Sequence, residues 1–215
     1  MRAPIRIVAA IVLVSATASA CSGSSEKEEG ASQDGSTVCG SFARSDNLRS
    51  ALQEATGADR FKDDRSQPDE ALRTLREADG KLDRDELAGA PYCRIQSAES
   101  GKEVLNITIR EALTTNQPDS YDEKYFTFYN TGESSYASEH TAAIYFRCTM
   151  GKPAKDILVH ADLERPAKVR VSDERLSRGN IVLLNAAARQ VSAELGCSAP
   201  TLSSGIPKAT SGRYA

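Results

Sequence analysis

The chain has 215 residues, of which 27% are charged and 6% aromatic, and its formal net charge is −3. Removing Arg2 and Arg6 with the leader described below takes that charge to −5, and we therefore expect no nucleic-acid partner, since binding to its backbone needs a basic face. The length and the hydrophobic fraction of 40% suit one folded domain with a sizeable core.

Residues 1–20 have the order of a secretory signal peptide. Arg2 and Arg6 precede an apolar run over 7–14, and small residues follow it up to Cys21. The apolar run is shorter than the roughly 20 residues that a membrane-spanning helix needs. We therefore expect cleavage before Cys21.

Cys21 is a candidate for lipid attachment. The preceding residues resemble a bacterial lipobox, except that Ala18 stands where leucine is usual. The same residues fit ordinary signal peptidase, which would leave Cys21 unmodified and the protein secreted. The five cysteines favour lipidation, because an odd number in an exported protein leaves one unpaired. Diacylated Cys21 would hold the protein on the outer face of the cytoplasmic membrane, through its lipid anchor.

The remainder divides into a tether, a domain and a tail. The segment 21–37 is rich in Ser, Gly and Glu and predicts a flexible tether. One domain is expected over 38–207, and residues 208–215 are expected to be a disordered tail.

Apolar periodicity predicts two helices, and a third, weaker pattern covers 69–78. The first helix is capped by Ser45 and stops at Gly57, and the second runs from about Ser177 to a stop at Gly196. The residues at helical spacing are Leu48, Ala51, Leu52 and Ala55 in the first, and Ile181, Leu184, Ala188, Val191 and Leu195 in the second.

In four segments apolar and polar residues alternate, as they do in half-buried strands. Their apolar positions are Leu105, Ile107 and Ile109; Phe126 and Phe128; Ile144, Phe146 and Cys148; and Ile157, Val159, Ala161 and Leu163. One buried face per strand predicts an α+β fold, with a mainly antiparallel sheet and the helices packed on one face.

The cysteine placement and the last helix resemble those of a known group. A Cys-Gly stands before a capped helix, a Pro-Tyr-Cys enters a hairpin, a strand ends in Cys148, and an alanine-rich helix closes with Leu-Gly-Cys at 195–197. This order is similar to that of small lipoproteins abundant in Streptomyces and related actinobacteria. The resemblance implies a secreted or anchored protein without a catalytic motif. The functional positions that it implies for this chain are only the cysteines: Cys21, Cys39, Cys93, Cys148 and Cys197.

The four cysteines other than Cys21 allow three disulfide connectivities, among which sequence alone does not choose. The predicted architecture favours Cys39 with Cys93 and Cys148 with Cys197, since each pair would join a helix to the sheet. No two cysteines have the close spacing that structural zinc sites favour, so we expect no metal. No cofactor is expected either.

The segment 75–86 matches a calcium-binding loop at several positions. Its first position is Leu75, whose side chain supplies no oxygen. We interpret the segment as an acidic turn after a short helix, with calcium binding as the alternative.

Two further groups of residues could carry function. His160 alternates onto the polar strand face with Asp162, and we expect an exposed surface pair. Tyr125 and Tyr129 lie opposite the predicted core face of their strand and are candidates for a ligand or partner surface. The sequence therefore predicts an anchored, non-enzymatic binding or accessory module for an envelope protein or ligand. The alternative is a cell-envelope hydrolase or modifying enzyme that uses His160.

Overall fold

The computed structural model describes residues 32–63, 65–78, 89–119, 123–151, 154–166, 168–198 and 200–211. The leader, Cys21 and the acidic stretch from residue 79 to 86 lie outside this part of the chain. The helices are α1 (Asp46–Thr56), α2 (Pro68–Glu77) and α3 (Asp173–Leu195). The strands are β1 (Gln33–Asp34), β2 (Arg60–Lys62), β3 (Ala90–Ser97), β4 (Glu103–Ala112), β5 (Thr127–Phe128), β6 (Ser134–Ala137), β7 (Thr141–Met150) and β8 (Lys155–Glu164).

All eight strands belong to one sheet, in the order β1-β2-β3-β4-β8-β7-β6-β5, and every neighbouring pair is antiparallel. α2 packs on β3 and β4, α3 packs on β6, β7 and β8, and α1 packs against α3. This arrangement confirms the predicted α+β class with helices on one face.

The ends of the helices follow the predicted caps. Ser45 Oγ accepts a hydrogen bond from the Leu48 N–H at the start of α1, and Gly57 follows in the left-handed conformation. Gly196 ends α3 in the same conformation. The predicted start of α3 near Ser177 is wrong, because the helix begins at Asp173. Its first three residues, 173–175, are polar and exposed, so no apolar periodicity reveals the start.

The core lies between the helices and one face of the sheet. β4, β8 and β7 contribute alternate residues to it, as predicted, and α3 contributes its apolar stripe. Fully buried members include Leu52, Leu75, Ile107, Ile109, Ile144, Phe146, Val159, Leu163, Ile181 and Leu184.

Two disulfides connect the helical layer to the sheet. Cys39, just before α1, bonds to Cys93 in β3, and Cys148 in β7 bonds to Cys197 after α3. The predicted connectivity is therefore confirmed. Each bond closes a long loop, with sequence separations of 54 and 49 residues.

Two segments outside the predicted domain limits of 38–207 pair with the sheet. Gln33, placed in the tether, pairs with Phe61 of β2, and Ala209, placed in the tail, pairs with Tyr129 next to β5. Backbone pairing needs no apolar side chains, so composition did not reveal these segments.

Strand prediction was incomplete where strands are short or irregular. The segment predicted from Phe126 and Phe128 contains only β5, and the alternation did not identify β1, β2, β3 or β6. In β3 the pairing register shifts twice, which interrupts a regular alternation. None of the helices in the described part of the chain has the length and apolar character of a membrane span.

Candidate functional site

The two candidate tyrosines have different environments. Tyr125 is 58% exposed, and the Lys124 ammonium lies 4.9 Å from its ring centre. Tyr129 is 4% exposed, and its hydroxyl is hydrogen-bonded to Ser177 Oγ at 3.2 Å, on α3. Burial raises the pKa of Tyr129. The two residues therefore do not share one exposed surface.

Tyr129 instead lines a cleft between α3 and the C-terminal segment, which we call the α3 cleft. Its first lobe has a volume of about 550 Å³ and is bounded by Tyr129, Glu174, Arg178, Pro207 and Ala209, among others. A second lobe of about 310 Å³ lies between α1 and α3. Arg178 and Ile206 line both lobes, so the two lobes are direct neighbours on α3.

Ile206 stands between the two lobes and is 50% exposed. The second lobe is open along α3, because a Cβ atom at Gly179 would meet no atom within 4 Å. Arg175 in this lobe is paired with Glu54 of α1. An exposed isoleucine in a groove can contact the apolar part of a bound molecule.

Polar side chains of α3 hold the C-terminal segment in place. Asn185 Nδ2 donates to the Ser203 carbonyl at 3.0 Å, and its Oδ1 accepts from Thr131 Oγ1 at 2.6 Å. Arg189 Nη1 donates to the Ser204 carbonyl at 2.8 Å. These bonds position the chain that carries Ile206 over α3.

The C-terminal segment also extends the edge of the sheet. The Asn130 N–H donates to the Lys208 carbonyl at 3.0 Å, and the Thr210 N–H donates to the Phe128 carbonyl at 2.8 Å. In this antiparallel pattern the N–H and carbonyl of the residue between, Ala209, point away from the sheet. Among the described residues, neither group of Ala209 has a hydrogen-bond partner.

A second candidate lies on the sheet face opposite the helices. The pairing registers place Arg110 of β4, His160 of β8 and Tyr145 of β7 side by side. The His160 and Tyr145 rings stack with centres 4.2 Å apart. The Arg110 Nε–H donates to His160 Nδ1 at 3.2 Å. We call these three residues and Asp162 the histidine cluster.

The two stacked rings of the cluster are buried, and Arg110 and Asp162 are half-buried. His160 is 6% exposed, so the expectation of an exposed surface pair with Asp162 is wrong. Tyr145 is 2% exposed, and its hydroxyl is hydrogen-bonded to Tyr136 and to the backbone of Asn116. The segment after β4 thus covers part of this face, which the alternating pattern could not show.

Burial shifts two pKa values of the cluster in opposite directions. Burial, with a smaller contribution from Arg110, lowers the pKa of His160 to about 4. Burial and the charge of Glu164 raise the pKa of Asp162 to about 6, against the opposing effect of Arg110. At neutral pH, His160 is therefore neutral and Asp162 ionised.

Some polar atoms on this face are buried without a partner. Among the described residues, His160 Nε2 and Ser134 Oγ have no hydrogen-bond partner, and Ser134 is the direct cross-strand neighbour of Tyr145. Buried polar atoms in proteins usually bond to protein groups or ordered water. These two atoms could therefore form hydrogen bonds with a further polar group. The imidazole itself has little access to solvent.

The sequence carried part of the signal for these sites. Arg110 and Tyr145 occupy the positions that alternate with the core residues Ile109 and Ile144, which places them on the second sheet face. Nothing local indicated that they would be neighbours of His160. Arg178, Ile206 and Lys208 lay in segments assigned to a helix surface, the domain end and the tail, so reasoning from sequence missed them as a group.

The described residues contain no group of three His, Cys, Asp or Glu side chains close enough together to hold a metal ion. The segment considered for calcium falls largely outside them.

The chain matches no protein family model, no curated protein and no solved structure.

Proposed function

We propose that the mature protein is a lipid-anchored extracytoplasmic binding module that holds an envelope protein or ligand in the α3 cleft. The observation that carries the proposal is the groove itself, in which Ile206 is half-exposed between two lobes. Clefts that combine apolar surface with a few placed polar groups are the usual form of binding sites.

Two features support a location outside the cytoplasm. The leader precedes Cys21, and both disulfides are of the kind that persists in oxidising compartments. Strand β1 begins at Gln33, so about ten residues separate it from Cys21. A random-coil chain of about ten residues would span roughly 16 to 19 Å.

The fold supports a cleft that faces away from the membrane. β1, which follows the anchor, is one edge of the sheet, and β5, next to the first lobe, is the other. Eight strands spaced about 4.8 Å apart separate the edges by roughly 34 Å. A partner in the envelope could then reach the first lobe without contact with lipid.

Catalysis by the histidine cluster has less support. A general base must reach the proton that it removes, whereas His160 is buried and bonded to Arg110. Its pKa of about 4 also makes the imidazole a weak base at neutral pH.

Site-specific photo-crosslinking tests the proposed role. A photoreactive amino acid would replace Ile206 in one variant and Leu113 in the control, because Leu113 is 59% exposed and lies away from the cleft, after β4. We expect a discrete cross-linked species at Ile206 alone when intact cells are irradiated. Equal labelling at both positions, or none at Ile206, would contradict a binding role for the cleft.

A further inference from the structure

We propose that the α3 cleft binds an extended acidic peptide segment of a partner protein, which adds to the sheet edge at Ala209. This inference rests on the proposed function and specifies its ligand. Positively charged side chains, an exposed apolar side chain and unpaired backbone groups lie close together in the cleft.

The first observation is charge. Arg178 and Lys208 line the first lobe, and neither has an ion-pair partner among the described residues. Arg175 is neutralised by Glu54, and among the described residues Glu174 is the only carboxylate that lines the first lobe. The lobe is therefore positive, whereas the chain as a whole is negative. An acidic ligand would be repelled by much of the surface and attracted here.

The second observation is the unpaired backbone of Ala209. Its N–H and carbonyl point outward from the C-terminal segment, and Ala209 is exposed within the lobe. An extended peptide can donate to and accept from such a residue, as in strand addition at sheet edges. Pro207 lacks an N–H, which limits pairing on that side and disfavours indiscriminate edge association.

The third observation is the position of Ile206. In an extended peptide, alternate side chains point to the same side. A peptide paired at Ala209 could thus place an apolar side chain on Ile206 and acidic side chains near Arg178 and Lys208. The second lobe adjoins the first at Ile206, and two neighbouring lobes suit an extended chain better than a compact molecule.

The test measures the affinity of fluorescent octapeptides for the purified full-length mature protein. Three probes alternate leucine with glutamate, glutamine or lysine. We expect the glutamate probe to bind at least about tenfold more tightly than the other two, with affinity that falls as salt rises. Equal affinity of the three probes, or no binding of the glutamate probe, would overturn the inference.

Variants connect binding to the groove. Arg178→Ala combined with Lys208→Ala should weaken binding of the glutamate probe about tenfold or more, and Glu174→Gln should strengthen it. Lys102→Ala is the matched control, because it removes an exposed lysine in the β3–β4 turn, away from the cleft. Circular dichroism would verify that each variant is folded. Unchanged affinity in the folded double variant would overturn the inference.

Backbone pairing has its own readout. A glutamate probe with N-methylated peptide bonds keeps its charge but loses its donors, so its affinity should fall about tenfold; unchanged affinity would contradict pairing at Ala209. If the peptides fail while Ile206 cross-links to a non-protein ligand in cells, the binding role stands and the peptide inference is overturned. Failure of the cross-link overturns the role itself.

Discussion

The Arg110 Nε–H donates to His160 Nδ1 at 3.2 Å, and this single bond determines which tautomer His160 adopts. Arginine keeps its proton, so Nδ1 must be the acceptor and the imidazole proton must lie on Nε2. If Nδ1 of His160 were protonated, its N–H would face the N–H of Arg110, and no hydrogen bond could form between two donors. The bond and the burial of the ring therefore both oppose the charged form.

The opposite pKa shifts of His160 and Asp162 predict offsetting pH effects on stability. His160 has a pKa of about 4 in the folded protein and about 6.5 when unfolded, so its contribution destabilises the fold as pH falls through that range. Asp162 has a pKa of about 6 in the folded protein, so its contribution stabilises the fold at low pH and is lost as pH rises from about 4 to 6.

Single variants separate the two effects. Relative to the wild type, His160→Gln should gain stability as pH falls from 6.5 to 4, by up to about 1.4 kcal/mol per pH unit. Asp162→Asn should lose stability over pH 6 to 4 by a similar slope. Urea titrations at half-unit pH intervals measure both, and parallel curves for the three proteins would contradict the assigned shifts.

Loss of the disulfide between Cys148 and Cys197 should destabilise the domain without changing its fold. Replacing both cysteines with alanine frees a loop of 49 residues, for which the chain-entropy model gives about 4 kcal/mol. Urea denaturation of the double variant measures the loss. Non-reducing peptide mapping of the wild type is the check, since a peptide that links Cys148 to Cys39 or Cys93 would contradict the observed pairing.

Gly132 is required by its conformation and its neighbour. Its φ is +67°, and a Cβ atom there would lie 2.3 Å from the Tyr145 carbonyl oxygen. Gly132→Ala should therefore lower the free energy of unfolding by about 3 kcal/mol. Gly205→Ala is the control, because a Cβ there meets nothing within 4 Å, and it should change stability by less than about 0.5 kcal/mol. Similar losses in both variants would refute this explanation.

Lipidation of Cys21 predicts a specific mass and a specific variant. The protein extracted from membranes should begin at Cys21 and carry a diacylglyceryl group, which intact mass spectrometry detects. Cys21→Ala should accumulate as uncleaved precursor or appear in the medium, with the melting temperature of its folded domain unchanged, because Cys21 lies about ten residues before β1. A membrane-extracted mature protein with unmodified Cys21 would contradict the prediction.

Much of the fold followed from local patterns. The caps at Ser45 and Gly57 and the apolar spacing between them identified α1, and alternation identified β7 and β8. Such signals work because capping and side-chain periodicity depend on residues only a few positions apart. The disulfide pairing also followed, once helices were assigned to one face of a sheet.

The candidate sites did not follow from local patterns. Arg110 meets His160 across 50 residues of chain, and Lys208 meets Asn130 across 78. Tyr145 stacks on His160 and bonds to the backbone of Asn116, in the segment after β4, whereas alternation alone made that face look exposed.

By itself, the sequence predicted the leader. It also determined the helical and strand periods and the covalent partners available to each cysteine, because these features depend only on composition and residue spacing. Only the tertiary structure decided the strand register, the pairing of Ala209 with Tyr129 and the groove around Ile206. The physical reason is that strand register and edge pairing are set by contacts between distant segments. Those contacts exist only after the chain has packed around its core.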